Sequence, residues 1–134
     1  TNMQLIQIIE DAVRKNCNVA PTYSNAKKKL TNAFSEDDPQ LPRIMFVGLC
    51  HQHGIRSQEI QDYLCLTKSQ VDQKIGEFQG FIDEGQPHYE NRQKGAHYEA
   101  DNTGYRFLVQ ANMCNSYLSS RVTSFVGLRE ITGA

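Results

Sequence analysis

The stretch from residue 57 to residue 78 most tightly limits what this chain can fold into. Apolar residues recur there at helical spacing on both sides of a short break. They are Ile60 and Leu64 before the break, Leu66 within it, and Val71, Ile75 and Phe78 after it. Because each helix would carry only one apolar stripe, the two helices can share a core only by crossing at the break. The pattern therefore predicts a helix, a tight turn and a second helix.

Polar residues mark where these two helices begin. Thr67 and Gln70 form a T-x-x-Q capping box, in which each side chain pairs with a backbone N–H group that the helix start would otherwise leave without a partner. We expect Ser57 to cap the first helix in a similar way. Cys65 and Leu66 then form the break. This arrangement is a helix-turn-helix, whose second helix projects outward.

Two further stretches read clearly as amphipathic helices. Residues 3–16 carry an apolar stripe, and residues 105–120 repeat apolar side chains at steps of three and four. We expect the charged residues of the first stretch to lie on its solvent-facing side. They are Glu10, Asp11, Arg14 and Lys15.

Two more helices are predicted between these stretches. Residues 42–54 are mostly apolar, which favours a central position in the core; Pro42 suits a first helical turn and Gly54 a C-terminal cap. Residues 21–34 form a shorter helix with a lysine triplet on or near its exposed side.

Residues 83–104 contain several glycines, a proline and isolated tyrosines, and we interpret them as a long connection with a short hairpin. The predicted fold class is therefore all-α or nearly so: a helix-turn-helix bundle with an appended C-terminal helix and at most one small β-hairpin. Residues 1–82 would form the helix-turn-helix domain. Residues 83–134 would add the hairpin or loop and the C-terminal helix packed on it, in one structural domain overall.

Composition narrows the class of protein further. No apolar run approaches the roughly 18–20 residues that span a bilayer, and the N-terminus lacks a secretory signal, so we expect a cytoplasmic protein without a membrane partner. The cysteines have no C-x-x-C spacing, and we expect reduced thiols rather than a disulfide framework. They are Cys17, Cys50, Cys65 and Cys114.

The sequence has one cluster of residues that could bind a metal or act in catalysis. Cys50, His51 and His53 lie close together, but one helix end supplies at most two metal ligands, and the chain offers no second clustered pair. A solvated helix end, with histidines near the carbonyl dipoles, is the interpretation that we favour. We expect no metal, no cofactor and no catalytic site.

The helix-turn-helix also carries a family resemblance. Residues 58–75 read Q-E-I-x-x-x-L-x-L-T-x-S-x-V-x-x-x-I, which resembles the helix-turn-helix of response-regulator and sigma-factor DNA-binding domains. With the preceding helices and Pro42-Arg43, residues 5–82 resemble the C-terminal DNA-binding domain of the DnaA family of replication initiators, in the Trp-repressor-like superfamily. That family's G-G-R-D-H-T-T-V signature is replaced here by residues 65–71, so recognition of its DNA box is not implied. No G-x-x-x-x-G-K-[ST] loop is present, so the resemblance covers the DNA-binding part alone.

Pattern and resemblance together predict a non-catalytic protein that binds double-stranded DNA, in transcription regulation or replication. Because the net charge is −1, any positive surface must be local. Candidate contacts are Lys68, Ser69, Gln70, Gln73 and Lys74 on the second helix, with Arg56, Arg43, Lys27, Lys28 and Lys29 around it. Gln73 and Ser69 suit base edges, Lys68 suits guanine or phosphate, and Gln70 divides its hydrogen bonds between capping and DNA.

Two further expectations concern protein partners. A protein-protein adaptor that docks through the same helices is the alternative function, and a steep loss of affinity with added salt would distinguish DNA binding from it. Because helix-turn-helix proteins often pair to contact two half-sites, we also expect the helix around residues 107–118 to support a homodimer.

Overall fold

A computed structural model describes residues 2–17, 41–93, 95 and 102–122. These residues form five helices and no strand. The helices are α1 (Asn2–Asn16), α2 (Leu41–Gln52), α3 (Ser57–Leu64), α4 (Lys68–Gln93) and α5 (Thr103–Val122). The all-α prediction is confirmed for this part of the chain. The predicted helix at 21–34, with Lys27, Lys28 and Lys29, lies outside the described residues.

Helix α2 lies at the centre of the bundle. Its residues from Ile44 to Cys50 are buried all round, and most of their side chains are completely inaccessible to solvent. A helix without a polar face must be covered on every side. α1, α3 and α4 all pack against α2. The predicted central position of this helix is confirmed.

The end of α2 follows the predicted glycine cap. Gly54 has a φ of +81°, which is in the left-handed region that glycine adopts without steric penalty. The Ile55 N–H group donates to the Cys50 carbonyl at 3.0 Å, and the Gly54 N–H group donates to that of His51 at 3.2 Å. These two bonds form a Schellman motif, whose apolar member, Ile55, is buried. The motif ends α2 and directs the chain into α3.

Helix α4 is much longer than predicted. The expected loop or hairpin beginning at residue 83 is wrong for residues 83–93, which continue α4 as a helix of 26 residues in all. Gly85 is required for packing, since a Cβ there would lie 2.3 Å from the carbonyl oxygen of Gly104. Pro87 removes one helical N–H donor, but it lies at an exposed position where water can satisfy the carbonyl that loses this donor.

Helix α5 packs along α4 and against α1. Its first turn is capped by two side chains: Asn102 Oδ1 accepts from the Tyr105 N–H group at 2.9 Å, and Glu84 Oε1 accepts from that of Gly104 at 2.8 Å. The Phe107 ring lies edge-on to Phe78 and is stacked with Phe81. The predicted apolar stripe of this helix is thus buried inside the chain.

No helix in the described ranges is both long enough and apolar enough to cross a membrane.

Helix α2 is in close contact with Phe78 of α4 at Gly48. A Cβ at this position would lie 2.0 Å from Cγ of Phe78. No real contact is so short, so even one added methyl group requires the ring or a helix to move. Gly76, also on α4, is exposed, and a Cβ added there would meet nothing within 4 Å.

We predict that Gly48→Ala lowers the free energy of unfolding by about 1–3 kcal/mol, because overpacking displaces the Phe78 ring. The matched change Gly76→Ala should raise it by up to about 1 kcal/mol, since alanine is the better helix former. Urea denaturation followed by circular dichroism measures both. Equal stability of the two variants would contradict the close approach of α2 and α4.

Candidate nucleic-acid interface

The predicted helix-turn-helix is formed by α3, a turn at residues 65–67 and the first half of α4. Its apolar residues converge as expected on one core, which also includes α2. Ile60, Leu64, Val71 and Phe78 are buried there, while Leu66 and Ile75 are partly buried against them. The inward side of both helices is therefore committed to packing.

The turn depends on an unusual backbone conformation at Cys65. This residue has φ 57° and ψ 48°, the left-handed conformation, and is the one non-glycine residue with positive φ in the described part of the chain. Its N–H group and that of Leu66 both donate to the Gln61 carbonyl, which ends α3. The left-handed conformation costs roughly 1–2 kcal/mol for a residue that carries a Cβ.

The capping box at the start of α4 is confirmed. The Gln70 N–H group donates to Thr67 Oγ1 at 3.1 Å, and the Thr67 N–H group donates to Gln70 Oε1 at 2.9 Å. The box fixes the first turn of α4 and orients the Gln70 side chain toward Thr67. Of the two roles predicted for Gln70, the structure shows the capping role.

The predicted cap of α3 is wrong. Arg56, not Ser57, is the N-cap residue, with an extended backbone and no side-chain hydrogen bond to the helix start. The reason lies in the backbone, since the Ile60 N–H group donates to the Arg56 carbonyl and thereby makes Ser57 the first helical residue. Ser57 Oγ instead accepts from Gln61 Nε2 at 3.2 Å.

The outward side of α4 presents a short row of polar side chains. Lys68, Ser69, Gln70, Asp72 and Gln73 are all exposed. The Lys68 ammonium donates to the Asp72 carboxylate at 2.8 Å, and this hydrogen bond raises the pKa of Lys68. The Ser69 and Gln73 side chains form no hydrogen bond with other described residues. These two side chains are therefore available to an external partner.

The other predicted contacts differ in accessibility. The Arg56 side chain is 79% exposed, 3.5 Å from the Glu59 carboxylate. Lys74 is partly buried. Arg43 is also partly buried, and burial lowers the pKa of its guanidinium, while the nearby Cys65 acts in the opposite direction. Arg43 therefore lies beside the turn rather than on an open surface.

A buried ionic cluster that the sequence analysis missed holds α3 in place. Glu10 was expected to face solvent but is only 8% exposed. It accepts a hydrogen bond from the Tyr63 hydroxyl of α3, and Arg14 Nε donates to its other oxygen at 2.7 Å. The Tyr63 ring stacks on Phe46 of α2. Glu10 lies between Ile6 and Val13 in helical spacing, and this was the available signal that it faces inward.

The histidine-containing end of α2 is bonded within the bundle. Nε2 of His53 donates to Oδ1 of Asn115 on α5 at 3.0 Å. Cys50 is fully buried, and burial raises the pKa of its thiol, while His51 is exposed. Within the residues that the structure describes, no group of three or more metal-ligating side chains occurs.

Neither a family model, nor a curated protein, nor a solved structure matches this chain. The case for its function therefore depends on the geometry of the site.

The turn provides a direct test of this geometry. We predict that Cys65→Gly raises the free energy of unfolding by about 1 kcal/mol, because glycine adopts the left-handed conformation without a Cβ penalty. Cys65→Ala keeps the Cβ and controls for the loss of the thiol, so it should remain close to the original protein. Thermal and urea denaturation both report the difference. A Cys65→Gly variant that is less stable than Cys65→Ala would show that the turn is not left-handed.

Proposed function

We propose that this chain is a non-catalytic protein that binds double-stranded DNA and contacts the major groove with the first two turns of α4. One observation carries the proposal. Ser69 and Gln73 are exposed on the outward side of the second helix of a helix-turn-helix and form no hydrogen bond within the described part of the chain, while Val71 and Phe78 occupy its inward side. In this motif the start of the second helix enters the groove and its outward side chains reach base edges.

The polar side chains suggest a division of roles. A glutamine amide can donate to and accept from adenine at once, so Gln73 would select sequence, and Ser69 can pair with either kind of base edge. Lys68 and Arg56 would contact phosphates, which contribute affinity but no sequence choice. Gln70 remains occupied by its capping bonds. Arg43 and Lys74 would act at the edge of this surface.

Charge sets a limit on the affinity. Lys68 and Arg56 each lie beside a carboxylate, Asp72 and Glu59 respectively. Both cations are largely exposed, at 73% for Lys68 and 79% for Arg56, and ion pairs of exposed groups contribute little, so DNA phosphates can compete for the cations. Affinity for arbitrary sequences should therefore be modest, and the contacts to bases should supply much of the preference for one site.

The proposal includes a cellular setting. A DNA-binding protein of this kind would act in the cytoplasm, in transcription regulation or replication. A homodimer remains part of the proposal, with one change in detail: Phe107, Cys114 and Leu118 of α5 are buried within the chain, so pairing would use the outer face, where Met113 is 47% exposed.

The experiment compares two exposed glutamines of α4. We predict that Gln73→Ala weakens binding to the best site, obtained by selection from random duplexes, by about 1–3 kcal/mol, because one bidentate base contact is lost. Binding to a scrambled duplex should hardly change. Gln79→Ala is the matched control, because Gln79 is exposed further along α4 and its side-chain amide donates to Asp83, one turn away on the same helix. Fluorescence anisotropy at fixed salt measures both duplexes.

The same assay separates base contacts from charge. Asp72→Asn removes the carboxylate that pairs with Lys68, so binding to both duplexes should strengthen alike, with a steeper dependence on salt. If Gln73→Ala and Ser69→Ala leave both affinities unchanged, α4 does not contact bases. If no duplex is bound even at low salt, the DNA proposal is wrong, and the adaptor function becomes the better account.

A further inference from the structure

Two of the cysteines meet in the core between α1 and α5. Cys17 directly follows α1, and Cys114 lies in the middle of α5. The Cys17 side chain is 1% exposed and that of Cys114 is inaccessible to solvent. Nothing in the proposed DNA contact uses either residue.

The contacts around the pair hold Cys114 of α5 against the last turns of α1, next to Cys17. The Cys114 thiol donates to the Ala12 carbonyl of α1 at 3.6 Å. A hydrogen bond between the Cys17 and Cys114 thiols, together with burial, raises the pKa of Cys17 far above its usual value. Cys50 also lies in the core, but burial alone raises the pKa of its thiol. Cys65 is exposed at the turn of the helix-turn-helix. Among the described cysteines, Cys17 and Cys114 are the two that interact with each other, and the Cys114 thiol is held against α1 by its bond to Ala12.

Neighbouring contacts hold the two helices in register at this point. On the surface nearby, Asp11 of α1 accepts hydrogen bonds from the Tyr117 hydroxyl at 2.5 Å and from Arg121 Nη1 at 3.0 Å, both on α5. The Lys15 ammonium lies 5.4 Å from the centre of the Tyr117 ring. These contacts fix the register of α1 against α5 on the surface beside the two cysteines, and a fixed register keeps the cysteines near each other, as a disulfide requires.

We propose that Cys17 and Cys114 form a reversible disulfide under oxidation by peroxide, which fastens α1 to α5. One thiol loses its proton to solvent and, as thiolate, attacks a peroxide oxygen; the O–O bond breaks, and the departing hydroxide takes up a proton as water, leaving a sulfenic acid. The sulfur of the second cysteine then attacks the sulfenic sulfur and gives up its proton, the S–S bond forms, and a second water leaves. One peroxide is reduced and two thiols are oxidised.

Burial sets the conditions for this reaction. The thiolate is the reactive form of a cysteine, and the buried environment of Cys17 disfavours it. The folded protein, with α1 packed on α5, therefore reacts slowly with peroxide. Reaction requires α1 to lift away from α5. Once formed, the disulfide closes a loop that spans most of the chain, and this suppresses further opening of α1. Glu10 of α1 accepts a hydrogen bond from Tyr63 of α3. Because the disulfide keeps α1 in place, it also stabilises this contact with the helix-turn-helix.

The test uses the full chain carrying Cys65→Ser, which removes the exposed thiol and its intermolecular products. The reduced protein is treated with hydrogen peroxide, and separately refolded to equilibrium in a glutathione redox buffer so that burial does not limit the rate. We expect the intact mass to fall by two hydrogens, and peptide mapping without reduction to join residues 17 and 114. The melting temperature should rise by about 10 °C and return on reduction with dithiothreitol.

Matched variants decide the assignment. Adding Cys50→Ala, which removes the other buried thiol, should leave disulfide formation intact, whereas Cys17→Ala and Cys114→Ala should each abolish it. Two variants of the pair are used so that a folding defect in one does not decide the result. Two free thiols at equilibrium in the redox buffer, or a bond that involves Cys50, would overturn the proposal.

Discussion

Phe78 lies against the backbone of Gly48, and this contact sets how closely α2 and α4 can cross. Because residues 44–50 of α2 are buried on every side, the positions of α1, α3 and α4 are defined relative to this helix. α4 is fixed by the Gly48 contact, and α5 then follows from the edge-on packing of Phe107 on Phe78. The same phenylalanine thus orients the proposed DNA-binding helix and the helix that supports it. A bulkier residue at position 48 would disturb both together.

Helix α4 crosses the boundary at residue 82 that the sequence predicts between the helix-turn-helix domain and the C-terminal part packed on it. Its first turns carry the outward polar row of the helix-turn-helix, and its later turns meet α5 at the close approach of Gly85 and Gly104. A continuous helix transmits orientation over its whole length, so the packing of α5 helps to set the direction of the exposed side chains of α4. α1 contributes from the other side, through the bond between Glu10 and Tyr63 of α3.

Local patterns predicted most of the described fold, and tertiary contacts account for what they missed. The capping box at Thr67 and Gln70 involves neighbours in sequence, so it was visible without a structure. The continuation of α4 was missed because Gly85 resembles a helix breaker until its contact with Gly104 is known. The burial of Glu10 depends on Tyr63, which lies on another helix. For the candidate site, the sequence predicted the exposed row that includes Ser69 and Gln73 but not the partial burial of Arg43 and Lys74, which long-range packing determines.

The central claim is that the outward side of the first turns of α4 is the surface that meets DNA. Its most direct test is a titration of isotope-labelled protein with duplex DNA carrying the selected site, followed by backbone amide chemical shifts in solution. The account predicts that the largest changes cluster at residues 68–74 and near Arg56, while residues 83–93 and the buried side of α5 change little. Changes concentrated on α1 and α5, or none at low salt, would contradict it.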